Sequence, residues 1–312
     1  MQSKAIILLS IMLSGFNVFG QQPPQYSQFV FNNYLINPAV GGSGDYIDFK
    51  LGYRTQWIGF GAAPKTYLFS IHSPLKNKGA EPRQFGERNH HAIGGYALKD
   101  ETGPISNISG YLSYSYHVRL SYHLRASLGL FGGVKQYQFN PAGLTTGVPD
   151  ADLVSINAIA PDAAAGVWVY SKKYFAGFSA HQLIPLPIGG TPNTLKMHYF
   201  LTGGYKIPVK KLDSEIIPSA HIKFGLLTPV TFDLNIKFNY QDILWAGLSY
   251  RKVDAIIGIA GFNISNYIQV GYAYDFTLSK LRKYSSNTHE IIISARFKPK
   301  KRVQDFKCPD WG

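Results

Sequence analysis

Residues 231–240 read Thr-Phe-Asp-Leu-Asn-Ile-Lys-Phe-Asn-Tyr, so that every second residue is apolar or aromatic and the residues between them are polar. This period of two is typical of a β-strand whose two faces meet different surroundings. The same alternation recurs in residues 111–119, 122–130 and 267–276. A soluble β-sandwich would also alternate, but its strands average about five or six residues, whereas these approach the length that crosses a bilayer at a tilt. The pattern therefore favours a transmembrane barrel.

Alternating segments of this kind follow one another along the chain and predict an all-β fold, an antiparallel transmembrane β-barrel of about fourteen strands. Closure into a barrel leaves no unpaired backbone edge in lipid, which is why a β-protein that spans a membrane takes this form. The predicted strands are centred near residues 50, 69, 95, 112, 127, 167, 178, 200, 220, 235, 247, 258, 271 and 293.

The predicted connections alternate between short and long, as in bacterial outer-membrane barrels. If the first strand starts in the periplasm, the long loops at residues 139–162 and 184–194 fall outside the cell. The long segment 76–91 breaks the pattern because it falls in the periplasm, so the strand register around residues 65–100 stays open. Short turns fall on the periplasmic side at residues 119–121, 171–173, 240–242 and 264–266.

The first twenty residues have the features of a secretory signal peptide. Lys4 precedes an apolar run at residues 5–13, which ends in small residues before Gly20 and is too short to span a bilayer. No later apolar stretch reaches the roughly 18 residues of a transmembrane helix. We therefore expect a multi-pass protein of the outer membrane. The chain divides into a signal peptide (1–20), an N-terminal segment in the lumen or periplasm (21–45), the barrel (46–298) and a basic periplasmic tail (299–312).

The charge balance narrows the classes of partner. The chain carries 31 Lys and Arg against 18 Asp and Glu, a formal net charge of +13. These basic residues are scattered over many strands and turns, whereas a nucleic-acid-binding protein concentrates them in one patch or stripe. We therefore expect no nucleic-acid partner. The excess of basic residues favours binding to anionic headgroups of outer-membrane lipid or to an acidic partner protein.

The polar faces of the predicted strands describe the lumen. Their mixed signs favour a lumen filled by paired side chains, or by the N-terminal segment 21–45, as readily as an open pore. That segment lacks strand alternation and is rich in Gln, Asn, Pro and Gly. The charged residues that the alternation points inward are Lys50, Arg54, Arg125, Lys223, Asp233, Lys237, Asp275, Glu290 and Arg296.

The sequence holds no motif that indicates catalysis or a bound cofactor. Its nine His are dispersed, and the one adjacent pair, His90-His91, is interpreted as part of a loop at the outer rim. No G-x-S-x-G nucleophile motif occurs. Asp150, Asp152 and Asp162 lack the ordered spacing of a calcium loop. We therefore expect a non-enzymatic protein with no cofactor and no metal.

The sequence contains four distinctive motifs: Gln-Tyr-Ser-Gln-Phe at 25–29, Asn-Asn-Tyr-Leu-Ile-Asn-Pro-Ala at 32–39, Tyr-Arg-Thr-Gln-Trp-Ile-Gly at 53–59 and Gly-Tyr-Ala-Tyr-Asp at 271–275. Together they resemble the PorP/SprF family of outer-membrane proteins associated with type IX secretion. We expect a structural role for the family-motif residues, with Arg54 and Trp57 locking the N-terminal segment in the lumen, and direct partner contact as the alternative. These residues are Tyr26, Ser27, Gln28, Asn37, Pro38, Ala39, Arg54, Gln56, Trp57 and Gly59.

The resemblance implies a barrel without enzymatic activity that works with the type IX machinery. One branch of the family binds a secreted adhesin's type B C-terminal sorting domain for export or surface anchoring, and another couples to periplasmic ring lipoproteins of the gliding and secretion motor. The alternative from a different class is a plugged transport barrel for a small solute. The tail departs from the family at Cys308-Pro309-Asp310-Trp311, which puts a docking role for it in doubt. The candidate partner-binding residues lie in the two outer loops: Asp150, Asp152, Pro185, Pro187, Gly189, Gly190 and Pro192.

Overall fold

A computed structural model describes residues 31–59, 61–75, 89–141, 154–184, 197–225, 228–265, 267–278 and 287–297. Its strands are β1 Ile47–Thr55, β2 Lys65–Leu75, β3 His90–Thr102, β4 Ile105–Arg119, β5 Leu124–Phe139, β6 Ile156–Ser171, β7 Tyr174–His181, β8 His198–Tyr205, β9 Ile207–Val209, β10 Ser214–Gly225, β11 Thr228–Tyr240, β12 Leu244–Arg251, β13 Ala255–Asn263, β14 Ile268–Thr277 and β15 Thr288–Phe297. Short 3₁₀ turns occupy Asn33–Leu35, Pro38–Val40 and Lys210–Leu212. None of the helices in these ranges has the length and apolarity to cross a membrane.

The sheet closes on itself. β1 pairs antiparallel with both β2 and β15, and the chain continues as successive antiparallel neighbours around to β10 and β11, which also pair with each other. β8 and β9 both pair with β10 and are separated only by Lys206, so the two form one interrupted barrel strand. The result is a closed antiparallel barrel of fourteen strands, which confirms the predicted fold class.

The two faces of the wall differ as the alternation predicts. On β4 and β5 the outward side chains of Leu112 and Leu128 are 77% and 65% exposed, while the neighbouring Ser113 and Ser127 are buried in the lumen. This is the arrangement of a wall with lipid outside and a polar interior. The charged residues that the sequence predicts to point inward agree with this arrangement of the wall. Lys50, Arg54, Asp233, Asp275 and Glu290 are buried, and Arg125, Lys223, Lys237 and Arg296 are at least partly buried.

Two sequence-based expectations are wrong. The outer loop placed at 139–162 is shorter, because β6 begins at Ile156 and its first residues pair with β5, from Phe139↔Ile156 onward. Pro161 and the small residues around it obscure the period of two in the first part of this strand. Its extended conformation is stabilised by pairing with β5 and not by its own residue preferences. His90 is also not a loop residue, since β3 begins with it. Most of the segment 76–91, namely 76–88, lies outside the described residues.

The barrel has two ends that we name by the chain. The terminal end is where β1 begins and β15 ends, and the distal end is where β1 ends and β15 begins. Residues 31–46, which we call the plug, precede β1 and lie inside the barrel. Their contacts reach groups of all seven strands from β1 to β7, which only a position in the lumen allows.

Candidate functional site

Serine hydroxyls from three strands hold the backbone of the plug. Ser115 on β4 donates to the Gly41 carbonyl at 2.6 Å, and Ser127 on β5 donates to the Ala39 carbonyl at 2.6 Å. Ser179 on β7 donates to the Ile36 carbonyl, also at 2.6 Å. Because the plug lacks strand or α-helical structure, its buried carbonyls need such partners from the wall.

Histidines supply further backbone contacts of the plug. His90 Nε2 and His117 Nε2 donate to the carbonyls of Gly42 and Gly41, at 2.9 and 2.8 Å, and their rings stack with centroids 4.4 Å apart. His181 Nε2 donates to the Ile36 carbonyl. His72 Nδ1 instead accepts from the Gly42 N–H at 3.3 Å, so that nitrogen carries no proton in this arrangement. Four of the nine histidines dispersed along the sequence thus contact one segment.

The Asn37-Pro38-Ala39 motif docks against β6 and β7. The Asn37 side chain accepts from the Ala39 N–H at 2.9 Å through Oδ1, which caps the 3₁₀ turn. Its Nδ2 donates to the backbone carbonyls of Val167 at 2.9 Å and Phe178 at 3.3 Å. One buried amide therefore shapes the turn and also ties it to two strands of the wall.

A pair of glycines makes room for this motif. Gly129 and Gly166 lie directly opposite each other on β5 and β6. A Cβ at Gly129 would come within 2.3 Å of the Ala39 nitrogen, and one at Gly166 within 2.1 Å of Asn37 Oδ1. Real Cβ atoms do not approach other atoms so closely, so these positions need glycine for the plug to touch the wall.

Aromatic side chains fill the space around the plug. Tyr34 is fully buried and its hydroxyl bonds to Ser113 Oγ at 2.6 Å, while its ring packs edge-on against Phe131. Burial raises the pKa of the Tyr34 phenol, so this group stays protonated. Phe31 stacks on Trp245 with centroids 5.3 Å apart, and Lys50 Nζ donates to the Phe31 carbonyl at 2.7 Å.

Paired charges fill the distal part of the lumen. Arg54 bonds to Asp275 at 3.0 Å and to Glu290 at 2.8 Å. Arg251 bonds to Asp233 at 3.2 Å and approaches Asp275 to 3.7 Å. These five side chains come from β1, β11, β12, β14 and β15, and we call them the distal charge cluster. Ionised groups so deeply buried persist because each is paired and hydrogen-bonded.

The structure separates the predicted site residues into three groups. Asn37, Pro38 and Ala39 lie in the plug, and Arg54 lies in the distal charge cluster. Gln56, Trp57 and Gly59 form the turn after β1, where the Trp57 N–H donates to Thr288 Oγ1 at 3.3 Å. The others lie outside the described residues: Tyr26, Ser27, Gln28, Asp150, Asp152, Pro185, Pro187, Gly189, Gly190 and Pro192.

Most of the plug's partners carry no recognisable signal in the sequence. Ser115, Ser127 and Ser179 are visible there only as polar positions of alternating strands. Nothing local marks them as plug contacts, since they lie 74, 88 and 143 residues from the carbonyls that they bind. Among the described residues, no group of three His, Cys, Asp or Glu side chains is placed to hold a metal ion.

A comparison with known protein families identifies the family of this barrel. Residues 18–295 match the family described as type IX secretion system membrane protein PorP/SprF. The chain belongs to the PorP/SprF family. It is therefore a type IX secretion membrane protein with the fold of an outer-membrane barrel. The motifs with which the sequence resembles this family thus identified it correctly.

Solved structures agree with the PorP/SprF chain in fold. A Pseudomonas aeruginosa FadL homologue superposes with a TM-score of 0.53 at 12% identity, over 92% of this chain and 96% of that one. The CymD monoaromatic hydrocarbon channel gives a TM-score of 0.50 at 12% identity, over 91% and 98%. At such identities the likeness concerns the fold alone. Comparison with curated proteins finds no match.

Proposed function

We propose that this PorP/SprF protein is a non-enzymatic docking barrel of the type IX secretion system. It binds a secreted adhesin through the adhesin's type B C-terminal sorting domain, for export or for anchoring at the cell surface, or it couples to periplasmic ring lipoproteins of the motor. The observation that carries this proposal is the filled lumen. A barrel whose interior is occupied by its own plug and paired charges offers its rims and loops for binding.

The strength of the plug's attachment supports docking over solute transport. At least seven hydrogen bonds join the plug to strands β2 to β7. Each such bond contributes about 1 kcal/mol net, so a solute path through the terminal half requires many of them to break together. The distal charge cluster adds a second obstacle. The similar fold of a hydrocarbon channel is no reason to assign channel activity to this chain, since 12% identity supports a common fold only.

We place the partner contacts on the distal loops, outside the cell. Asp150 and Asp152 belong to the loop between β5 and β6. Pro185, Pro187, Gly189, Gly190 and Pro192 belong to the loop between β7 and β8, where repeated proline favours a stiff, non-helical docking surface. Residues 1–20 serve as the export signal, and the tail 299–312 faces the periplasm in this proposal.

The test is mass spectrometry of the proteins that co-purify with the tagged, detergent-extracted barrel from its native outer membrane. We expect a stoichiometric surface protein retained through its C-terminal domain, and ring lipoproteins in its place would assign the motor branch. Replacing residues 142–153 with a short Gly-Ser linker should reduce adhesin retention while the heat-modifiable folded form persists. Recovery of the barrel alone from native membranes contradicts the proposal.

A further inference from the structure

The outer face of the wall carries a cavity on strands β15, β1, β2, β3 and β4. Its volume is about 440 Å³, within the range of about 300–1,000 Å³ that is usual for small-molecule sites. Each of these five strands is paired on both sides, so the wall beneath the cavity is complete. We call this cavity the outer groove, and its outward lining includes Leu51, Tyr53, Tyr67, Phe69, Ala97 and Lys99.

Two small residues produce the depression of the outer groove. Ala97 on β3 lies directly opposite Phe69 on β2 and Gly110 on β4. Ala97 is exposed, and a Cβ at Gly110 would meet no atom within 4 Å. The neighbouring outward positions carry the much larger side chains of Tyr67 and Ile108, which are 44% and 37% exposed. A wall of bulky side chains is therefore interrupted here by a low, apolar floor.

The outward residues beside the floor change from charged to apolar along the strands. Nearest the distal end, Lys65 on β2 lies opposite Glu101 on β3. Tyr67 lies opposite Lys99 on the next outward rung, and the rung after that holds Ala97. Charges on the lipid face of a barrel cost little near the interface and much at the centre of the bilayer. The lysines therefore mark the interface, and the groove runs from them into the hydrocarbon layer.

The charges at the interface end of the groove do not balance. Lys99 Nζ lies 2.6 Å from Glu101 Oε1, so these two groups form an ion pair. Lys65 is exposed and has no ion-pair or hydrogen-bond partner among the described residues. Two ammonium groups thus face one carboxylate. A net positive charge at a membrane surface attracts anionic headgroups, and lysine binds phosphate as a point charge.

A pair of tyrosines lies between the lysines and the apolar floor. Tyr53 and Tyr67 are directly opposite each other on β1 and β2, with ring centroids 5.2 Å apart. Tyrosine is enriched at membrane interfaces because its ring is apolar and its hydroxyl is polar. The order of charge, tyrosine and aliphatic floor along the groove is the order of headgroup, interface and acyl chain in a lipid.

We propose that the outer groove binds lipid A, the phosphorylated acyl lipid of the outer leaflet, with a phosphate at Lys65 and Lys99 and an acyl chain over Ala97. The choice of the outer leaflet rests on the proposed function, which places the distal end outside the cell. A neighbouring membrane protein fits the groove less well, because packing against it would bury the Lys65 ammonium without a partner.

The first test fills the groove. Ala97→Phe places a bulky side chain on the floor, and Ala260→Phe is the matched control, since Ala260 is an exposed outward alanine on β13 that is paired on both sides. Lipid A is titrated into each purified, delipidated barrel in detergent, and the complexes are counted by native mass spectrometry. We expect Ala97→Phe to weaken binding about tenfold or more and Ala260→Phe by less than about twofold. Equal affinities of the two variants overturn the inference.

The second test removes the cations and keeps the inference testable if Ala97→Phe does not fold. The double variant Lys65→Met/Lys99→Met is compared with Lys210→Met/Lys211→Met, which removes two exposed lysines from the turn before β10 at the terminal end. We expect the first pair to weaken lipid A binding about tenfold or more and the second by less than about twofold. Equal effects, equally tight binding of phosphatidylglycerol, or no lipid A binding by the unsubstituted barrel overturns the inference.

These outcomes are separate from those of the proposed function. Loss of lipid A binding with exported protein still retained overturns the lipid site and leaves the docking function standing. The shared assumption is the orientation, which is tested by labelling whole cells with a membrane-impermeant maleimide at Gly61→Cys in a Cys308→Ser background. Gly61 is exposed in the turn between β1 and β2 at the distal end. Labelling supports the orientation, and its absence overturns both proposals.

Discussion

At the scale of single residues, Asn37 shows how one side chain connects a sequence motif to the filled lumen. Its Oδ1 caps the turn at Ala39, and its Nδ2 reaches carbonyls on β6 and β7. The amide offers an acceptor and two donors on one short stem, and no other uncharged side chain of this length does so. Asparagine is therefore the residue that can both cap this turn and attach the plug to the wall.

Replacing Asn37 should loosen the plug. Asn37→Ala removes three hydrogen bonds and leaves buried groups without them, so we expect a loss of about 2–3 kcal/mol in unfolding free energy. Asn37→Asp keeps the acceptor for Ala39 but turns a carboxylate oxygen toward the Val167 and Phe178 carbonyls, and it should cost at least as much. Urea titration in detergent measures both, and a stable Asn37→Asp barrel would show that the two donated bonds contribute little.

The glycine at 166 gives a second prediction with a matched control. Gly166→Ala places a Cβ 2.1 Å from Asn37 Oδ1, and overpacking of this kind costs about 1–3 kcal/mol. Gly132→Ala, on β5, adds a Cβ with no atom within 4 Å and should leave stability nearly unchanged. The same urea titration compares them, and equal effects of the two substitutions would contradict the close contact between plug and wall.

At the scale of strands, the distal charge cluster joins elements that are far apart in sequence. β1 brings Arg54 to Asp275 on β14 and Glu290 on β15, across 221 and 236 residues. The period-two pattern predicted that all three side chains point inward, because alternation alone decides the face. It did not predict their pairing, because the partner of a strand position depends on register around the closed barrel.

Removing the cation of this cluster should destabilise the barrel strongly. Arg54→Met leaves Glu290 and Asp275 buried without their principal partner, which typically costs about 3–5 kcal/mol. Adding Glu290→Gln to that variant should recover part of the loss. The control is Lys99→Met, which breaks an outward, solvent-exposed ion pair with Glu101 and should cost about 1 kcal/mol or less. A similar loss of unfolding free energy in both single variants would show that the cluster is not coupled to the fold.

At the scale of the whole molecule, the sequence predicted the barrel better than it predicted what fills it. Segments such as 231–240 and 267–276 determine their own structure, since alternation requires a strand with two environments. The start of β6 at Ile156 and the short β9 were missed because their pairing partners, not their own residues, hold them in the sheet. The plug's contacts were missed for the same physical reason, since they join residues that only the closed barrel brings together.

The proposed docking function requires that the plug closes this PorP/SprF barrel to solutes. Single-channel recording in planar bilayers tests this requirement most directly. It compares the full barrel with a variant that lacks residues 31–46 but keeps Asp48 and Lys50. We expect no steady conductance from the full barrel. Removal of the plug should give a measurable increase, limited by the distal charge cluster that remains. Steady conductance from the full barrel, equal to that of the plug-deleted variant, would contradict the proposed function and favour solute transport.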